Sequence, residues 1–337
     1  MLSVLPGLGV SLATLQYAIH RIDQTQVYMV AAPMADYRVV MTEPTPSGED
    51  TYLETTAAFA RRTGAVVAMN TNFFRWLNAQ SLRSFQDYQK WIMGELAPAG
   101  IGYAALRQTC LTGRGQIPAG VLGAYIVNGR GVRPYEGGYA AMVHFPAQGG
   151  VEFYRGKLPE QPFNLVSGSQ QLLEAGKKLP VDGSDRTSPK AILGKRGNEY
   201  IFVVSDGRGN GGSKGVSFPQ LQTFLLEQGV TDATAVDGGE SATLVVKGEV
   251  KNHPRDRYCE LARWIPAPTL TFLNPEEEAR EAAMAMGRSL RPVGANLGLV
   301  PRHSPQAGLP FAFWQNIRER LIARLRAWRD AVWRHSV

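Results

Sequence analysis

Residues 199–239 constrain the fold of this chain more than any other stretch. "EYIFVVSD" is a nearly unbroken apolar run, the composition of a strand covered on both faces. A glycine-dense loop follows from Gly207 to Gly215. "FPQLQTFLLEQG" then reads as a helix stopped by Gly229, and "ATAVDGG" as a short strand entering a glycine turn. Strand, helix, strand in that order predicts a crossover unit, with the loops at Asp206 and Asp237 leaving one sheet edge together.

The rest of the chain fits around that unit. "LQYAIHRID", "QVYMVAAP" and "YRVVMTEP" read as strands, "GEDTYLETTAAFARRTG" as a helix, and "GAYIVNGRGV" as a hairpin turning at Asn128–Gly129. The expected class is mixed α/β (α+β), with central mixed sheets, flanking helices and a helical C-terminal extension. An N-terminal extension is expected over 1–12 and a catalytic domain over 13–273, with a helical insertion at 75–116. A helix start at Asn274–Pro275 and a Pro/Gly-rich stretch then fill 274–310 as a linker, before a basic amphipathic helix at 311–337.

Hydrophobic residues make up 44% and charged residues 19% of 337, so the chain can bury a real core. The net charge of +7 is concentrated near the C-terminus, at Arg318, Arg320, Arg324, Arg326, Arg329 and Arg334. A mildly basic body argues against a nucleic-acid groove. On the terminal helix Trp314, Ile317, Leu321, Leu325, Trp328 and Val332 form an apolar stripe flanked by arginines. It suits an anionic membrane surface, a protein partner or the chain's own domain. Residues 2–19 are uncharged but lack a basic start and a cleavage site, and read as an irregular lead into the first strand rather than an export signal. Cys110 and Cys259 could pair, yet two cysteines make no disulfide framework. The five histidines are scattered, so no metal and no cofactor is expected.

Three segments carry chemistry. In "VDGGESATLVV" a carboxylate at a strand end, Asp237, precedes Gly238 and Gly239, which permit close backbone approach, and the hydroxyls of Ser241 and Thr243. In "SDGRGNGGSKG" Arg208 offers a planar fork for phosphate oxygens beside Asp206. In "AMNTNFF" Asn70 can bond sugar hydroxyls above Phe73 and Phe74. Gly207, Gly209 and Gly212 also fit the dinucleotide fingerprint G-x-G-x-x-G, which would make the chain a dinucleotide-binding oxidoreductase. Against that reading, Gly212 does not open the helix and Asp237 comes late for a ribose ligand.

Taken together these segments resemble the phosphodiester glycosidase family. In order they are Asn70 to Phe74, Ser167–Gly168, Asp206-Gly207-Arg208, Asp237-Gly238-Gly239-x-Ser241-x-Thr243, "KNHPRD" at 251–256, and Arg263. Three positions depart from the family pattern: Lys190–Ala191 where an Arg-Thr pair is usual, Glu240 for a third glycine, and Thr71–Asn72 for two glycines. The resemblance implies hydrolysis of a sugar 1-phosphodiester, a small-molecule or glycan substrate, and an exported or envelope setting. A non-catalytic sugar-phosphate binding module is the remaining alternative. Asp237 is the first choice to attack the anomeric carbon or activate water, with Asp206 and Glu240 behind it. Arg208 and Arg263 are expected on the phosphate and Asn70 on the sugar. Ser241 and Thr243 would orient substrate or water, and Ser167, Gly168, Lys190, Gly238 and Gly239 complete the binding set.

Overall fold

A computed structural model describes residues 15–48, 50–76, 103–133, 138–183, 186–256, 259 and 289–302. The largest sheet has the order β1 (Gln16–Ile22), β2 (Thr25–Pro33), β16 (Glu199–Ser205), β15 (Lys190–Arg196), β17 (Asp232–Ala235), β13 (Gln170–Glu174), β14 (Lys177–Lys178). A second runs β11 (Glu152–Arg155), β10 (Ala141–Phe145), β12 (Asn164–Gly168), β8 (Tyr125–Val127), β9 (Arg130–Arg133). A third runs β19 (Glu249–Val250), β18 (Leu244–Val246), β5 (Val67–Asn70), β20 (Asn296–Pro301), β3 (Tyr37–Met41). The smallest joins β4 (Thr51–Glu54), β7 (Arg114–Val121) and β6 (Phe74–Trp76). The described α-helices are α1 (Thr56–Thr63), α2 (Tyr103–Thr112) and α3 (Phe218–Glu227).

The expected mixed α/β class is therefore corrected. Among the described residues strand makes up 46% and helix 14%, in four antiparallel sheets. The crossover itself exists: β16 and β17 each pair antiparallel with β15, so they run parallel to one another and their loops leave the same edge. What the strand–helix–strand pattern does not reveal is the strand between them. The segment "KAILGKR" pairs with β16 directly, and a local hairpin of this kind makes the sheet antiparallel. The helix expected from residue 48 is also shorter than its pattern suggested. Thr51–Glu54 pairs with β7, and α1 starts only where the Thr55 side chain caps the Ala58 N–H, ending at Gly64 with φ 71°.

Strand β16 shows why the apolar run is continuous. Tyr200, Phe202 and Val204 enter a core shared with the second and third sheets, through residues such as Val143, Val166, Met69 and Leu297. Ile201 and Val203 face the other way, onto Leu221, Phe224 and Leu225 of α3. Helix α3 is fixed by a capping box between Ser217 and Gln220. The Asn128–Gly129 hairpin forms as expected, with both residues at positive φ.

The stretch assigned to a linker supplies β20 instead, which lies between β5 and β3 in the third sheet. The described residues up to 300 form one compact unit, so β20 belongs with the strands that precede residue 273. Its signal was available in the alternating apolar residues of "ANLGLV", which the flanking prolines and glycines masked. The 1–12 extension, most of the 75–116 insertion, the helix start at 274 and the basic helix at 311–337 lie outside the described residues. No helix among the described residues is long and apolar enough to cross a membrane.

Candidate active site

The site forms where the loops after β16 and β17 meet the turn before β15. Asp237 is held by its backbone. Its N–H donates to the Thr71 carbonyl at 2.8 Å, and its carbonyl accepts from Asn70 Nδ2 at 2.6 Å. Asn70 Oδ1 accepts the Thr243 N–H at 3.1 Å, so one buried amide clamps both ends of the 237–243 loop. Asn70 is thus committed to backbone rather than turned toward a sugar. Asn72 makes a similar clamp on the Leu122 and Ala124 carbonyls and the Ser167 N–H. Asn70→Ala leaves a backbone donor and acceptor buried without partners. It is expected to reduce stability by about 2–4 kcal/mol, read as a fall in melting temperature together with lower turnover per folded molecule.

The glycine pair serves packing. A Cβ at Gly238 would meet the Pro189 carbonyl at 2.7 Å, and Gly239, at φ +62°, donates its N–H to the same carbonyl at 2.9 Å. This brings Ser188–Pro189 against both glycine loops and aims Lys190 into the space between them.

That space is a pocket of about 440 Å³ lined by Asp237, Glu240, Lys190, Arg208 and Arg291, with Phe73 and Phe218 as apolar walls. Phe73 stacks on Tyr139 with centroids 5.0 Å apart, and the Lys190 ammonium lies 4.1 Å from the Phe218 ring centroid. Glu240 bridges two guanidinium groups, Arg291 at 3.0 Å and Arg208 at 3.6 Å. Arg291 also binds the buried Asp256 through Nε at 2.9 Å. Burial lowers the Lys190 pKa, and the nearby Arg208 and Arg186 charges push the same way. Asp237 is strongly perturbed. Burial raises its pKa to about 7, against the opposing pull of Ser241 and Arg291. The Ser241 side chain, itself buried, acts on Asp237 from the same loop.

Other expected site residues lie behind the pocket. Asp206 is 1% exposed; its Oδ1 accepts the His253 N–H at 2.7 Å, while Oδ2 accepts Tyr28 Oη–H and contacts His253 Nδ1, both at 2.8 Å. A Cβ at Gly211 would meet both His253 Nδ1, at 2.7 Å, and Asp206 Oδ2, at 2.9 Å. Asp206 therefore anchors the loop that carries Arg208. Ser167 is buried and donates to the Ala124 carbonyl, and Gly168 packs on the Ala235 backbone. Ser241 and Thr243 are buried, and Arg263 lies outside the described residues. No cluster of three His, Cys, Asp or Glu side chains suited to a metal occurs among the described residues.

Residues 107–267 match the sequence model of a family described as phosphodiester glycosidase. No curated protein matches the sequence. Among solved structures, the catalytic domain of zebrafish N-acetylglucosamine-1-phosphodiester alpha-N-acetylglucosaminidase, described as auto-inhibited by its pro-peptide, superposes with a TM-score of 0.54. The two share 19% identity over 86% of this chain and 83% of that one, a likeness of fold. A hypothetical protein from Synechocystis gives a TM-score of 0.46 at 13% identity, over 86% of this chain and 62% of that one.

The matched segment includes Lys190, Arg208, Asp237 and Glu240 but neither Asn70 nor Arg291. Sequence reasoning missed Arg291, because it precedes a proline in what reads as linker, and missed Phe218 as a pocket wall. It left the cysteines open; Cys110 on α2 is bonded to Cys259, with Cα atoms 5.4 Å apart.

Proposed function

We propose that the chain hydrolyses a sugar 1-phosphodiester at the anomeric C–O bond, adding water to release free sugar and a phosphomonoester. The observation that carries this reading is the pairing of Asp237, with a pKa near neutrality, with Lys190, Arg208 and Arg291 in one pocket. A phosphate-ester leaving group is a weak base. It needs its charge neutralised more than it needs a proton, so cations can replace the general acid of ordinary glycosidases. Asp237 attacks the anomeric carbon or activates water, and Arg208 and Lys190 hold the phosphate. The aromatic walls suit the apolar face of a sugar ring. Glu240 is the reserve carboxylate in the same pocket; Asp206, beneath the loop, positions Arg208.

The dinucleotide reading loses its physical basis here. After Gly209 the chain makes a 3-10 turn at Asn210–Gly212, and α3 begins only at Phe218. The glycines therefore do not deliver a pyrophosphate to a helix N-terminus.

Free sugar should appear from a panel of sugar 1-phosphodiesters and much less from the matching sugar 1-phosphates. Arg208→Lys keeps the charge but loses the fork, and should lower kcat/KM by roughly 10- to 100-fold. Tight binding of the diesters without sugar release would overturn the hydrolase reading in favour of a binding module.

A further inference from the structure

Asp256, Arg291, Glu240 and Arg208 alternate in sign from the protein interior to the pocket. Arg291 Nε meets Asp256 Oδ2 at 2.9 Å, Arg291 Nη2 meets Glu240 Oε2 at 3.0 Å, and Glu240 Oε1 meets Arg208 Nη1 at 3.6 Å. The inner end is fixed. Asp256 is fully buried, its Oδ1 accepts the Cys259 N–H at 3.2 Å, and its N–H donates to Ser289 Oγ at 2.7 Å. Cys259 is in turn bonded to Cys110. The segment that holds Asp256 is therefore tied to α2 at one side and to the irregular stretch before β20 at the other.

A guanidinium makes both of these bonds from separate nitrogens fixed in one plane; an ammonium, a point charge on a flexible stem, does not hold two carboxylates in that fixed geometry. The same cation also lines the pocket with Asp237. We infer that Arg291 is a positioning residue of the active site, which fixes Glu240, and through it Arg208, against the Asp256 anchor and places its positive charge in the pocket that Asp237 lines. This inference rests on the proposed hydrolase reading for its catalytic meaning. Its structural content, the influence on Asp237, stands apart from turnover.

The groups that face Asp237 come from several elements. Ser241 lies on its own loop, Tyr139 on the loop before β10, and Arg291 ahead of β20. Lys190, Arg208 and Glu240 line the pocket from β15 and the two glycine loops. Only a change that follows the Arg291 charge, with the others intact, identifies its contribution.

The test reads the Asp237 carboxyl directly, by infrared difference between each protein and the same protein carrying Asp237→Asn, titrated with pH without substrate. Arg291→Gln should move the Asp237 midpoint upward by on the order of one pH unit, the effect of removing one neighbouring charge. Arg291→Lys should keep the midpoint near that of the native protein but lower kcat at least about tenfold with KM little changed, because Lys190 and Arg208 still bind phosphate. If Arg291→Gln does not fold, the double variant Arg291→Gln/Asp256→Asn, which leaves no unpaired buried charge at position 256, takes its place, and its midpoint should lie above that of Asp256→Asn alone. An unmoved midpoint in the neutral variant overturns the inference, as does full kcat in Arg291→Lys. Should the native protein release no sugar from any phosphodiester, the hydrolase reading fails, while the titration still decides the role of Arg291.

Discussion

Asp237→Asn is expected to lower turnover by roughly three orders of magnitude or more while the protein stays folded. The variant keeps the shape and the backbone clamp on Asn70 and Thr71, and loses only the charge. In the proposed mechanism the carboxylate is the reactive form, so the native rate should rise with pH through about 7, where Asp237 loses its proton. Stability moves the other way. The folded-state pKa of about 7 lies above the ordinary value of 3.8, so between these values the folded protein holds a proton that the unfolded chain has given up. That stabilisation fades as pH rises through 7, leaving a poorly solvated charge. At pH 8 the asparagine variant should therefore melt above the native protein, and the gain should shrink toward pH 4. Turnover and thermal unfolding measured on the same preparations check both parts. A folded variant with near-native turnover would remove Asp237 from the mechanism and pass the role to Glu240.

The second large effect concerns Gly168. A Cβ there would meet the Ala235 carbonyl at 2.2 Å and Thr234 Cγ2 at 2.7 Å. Ala235 is the last residue of β17, and its carbonyl also accepts the Ser169 N–H at 2.8 Å, so the backbone cannot yield without moving the strand that delivers Asp237. Gly168→Ala should destabilise the fold by about 3 kcal/mol or more, or prevent it from accumulating. Gly131→Ala is the matched control, with open space around the added methyl group, and should leave the denaturant midpoint nearly unchanged. Equal midpoints for the two variants would show that β12 and β17 do not approach as closely as described.

Both predictions bear on what was legible in the sequence. Apolar periodicity and turn chemistry are local, so β1 to β3, α3 and the Asn128–Gly129 hairpin could be read directly. The crossover between β16 and β17, and the shared edge of their loops, could be read as well. The sheet's antiparallel character could not, because it depends on which strand lies between them. The same limit applies to the site. Residue type separates a carboxylate from an arginine but not a pocket wall from a hidden clamp. Asp237 and Arg208 line the pocket, whereas Asp206 and Asn70, equally prominent as motifs, spend their polar atoms on His253, Tyr28 and backbone. Arg291 carried no motif, and only its distance from Glu240 and Asp256 singles it out.

The position of β20 has a consequence for the order in which the chain can be assembled. Asn70, at the end of β5, pairs with Asn296, so β5 waits for a partner made more than two hundred residues later. Until that partner emerges from the ribosome, the strand that clamps the Asp237 loop has one open edge, and the loop has no fixed shape. The segment recognisable by family likeness, 107–267, contains neither β5 nor β20, nor the β2 strand that flanks β16. That segment carries both glycine loops but lacks the strands that flank them. The pocket takes shape only when the two ends of the domain close on its middle, a late and long-range step that makes the nascent chain dependent on whatever shields its open edges meanwhile.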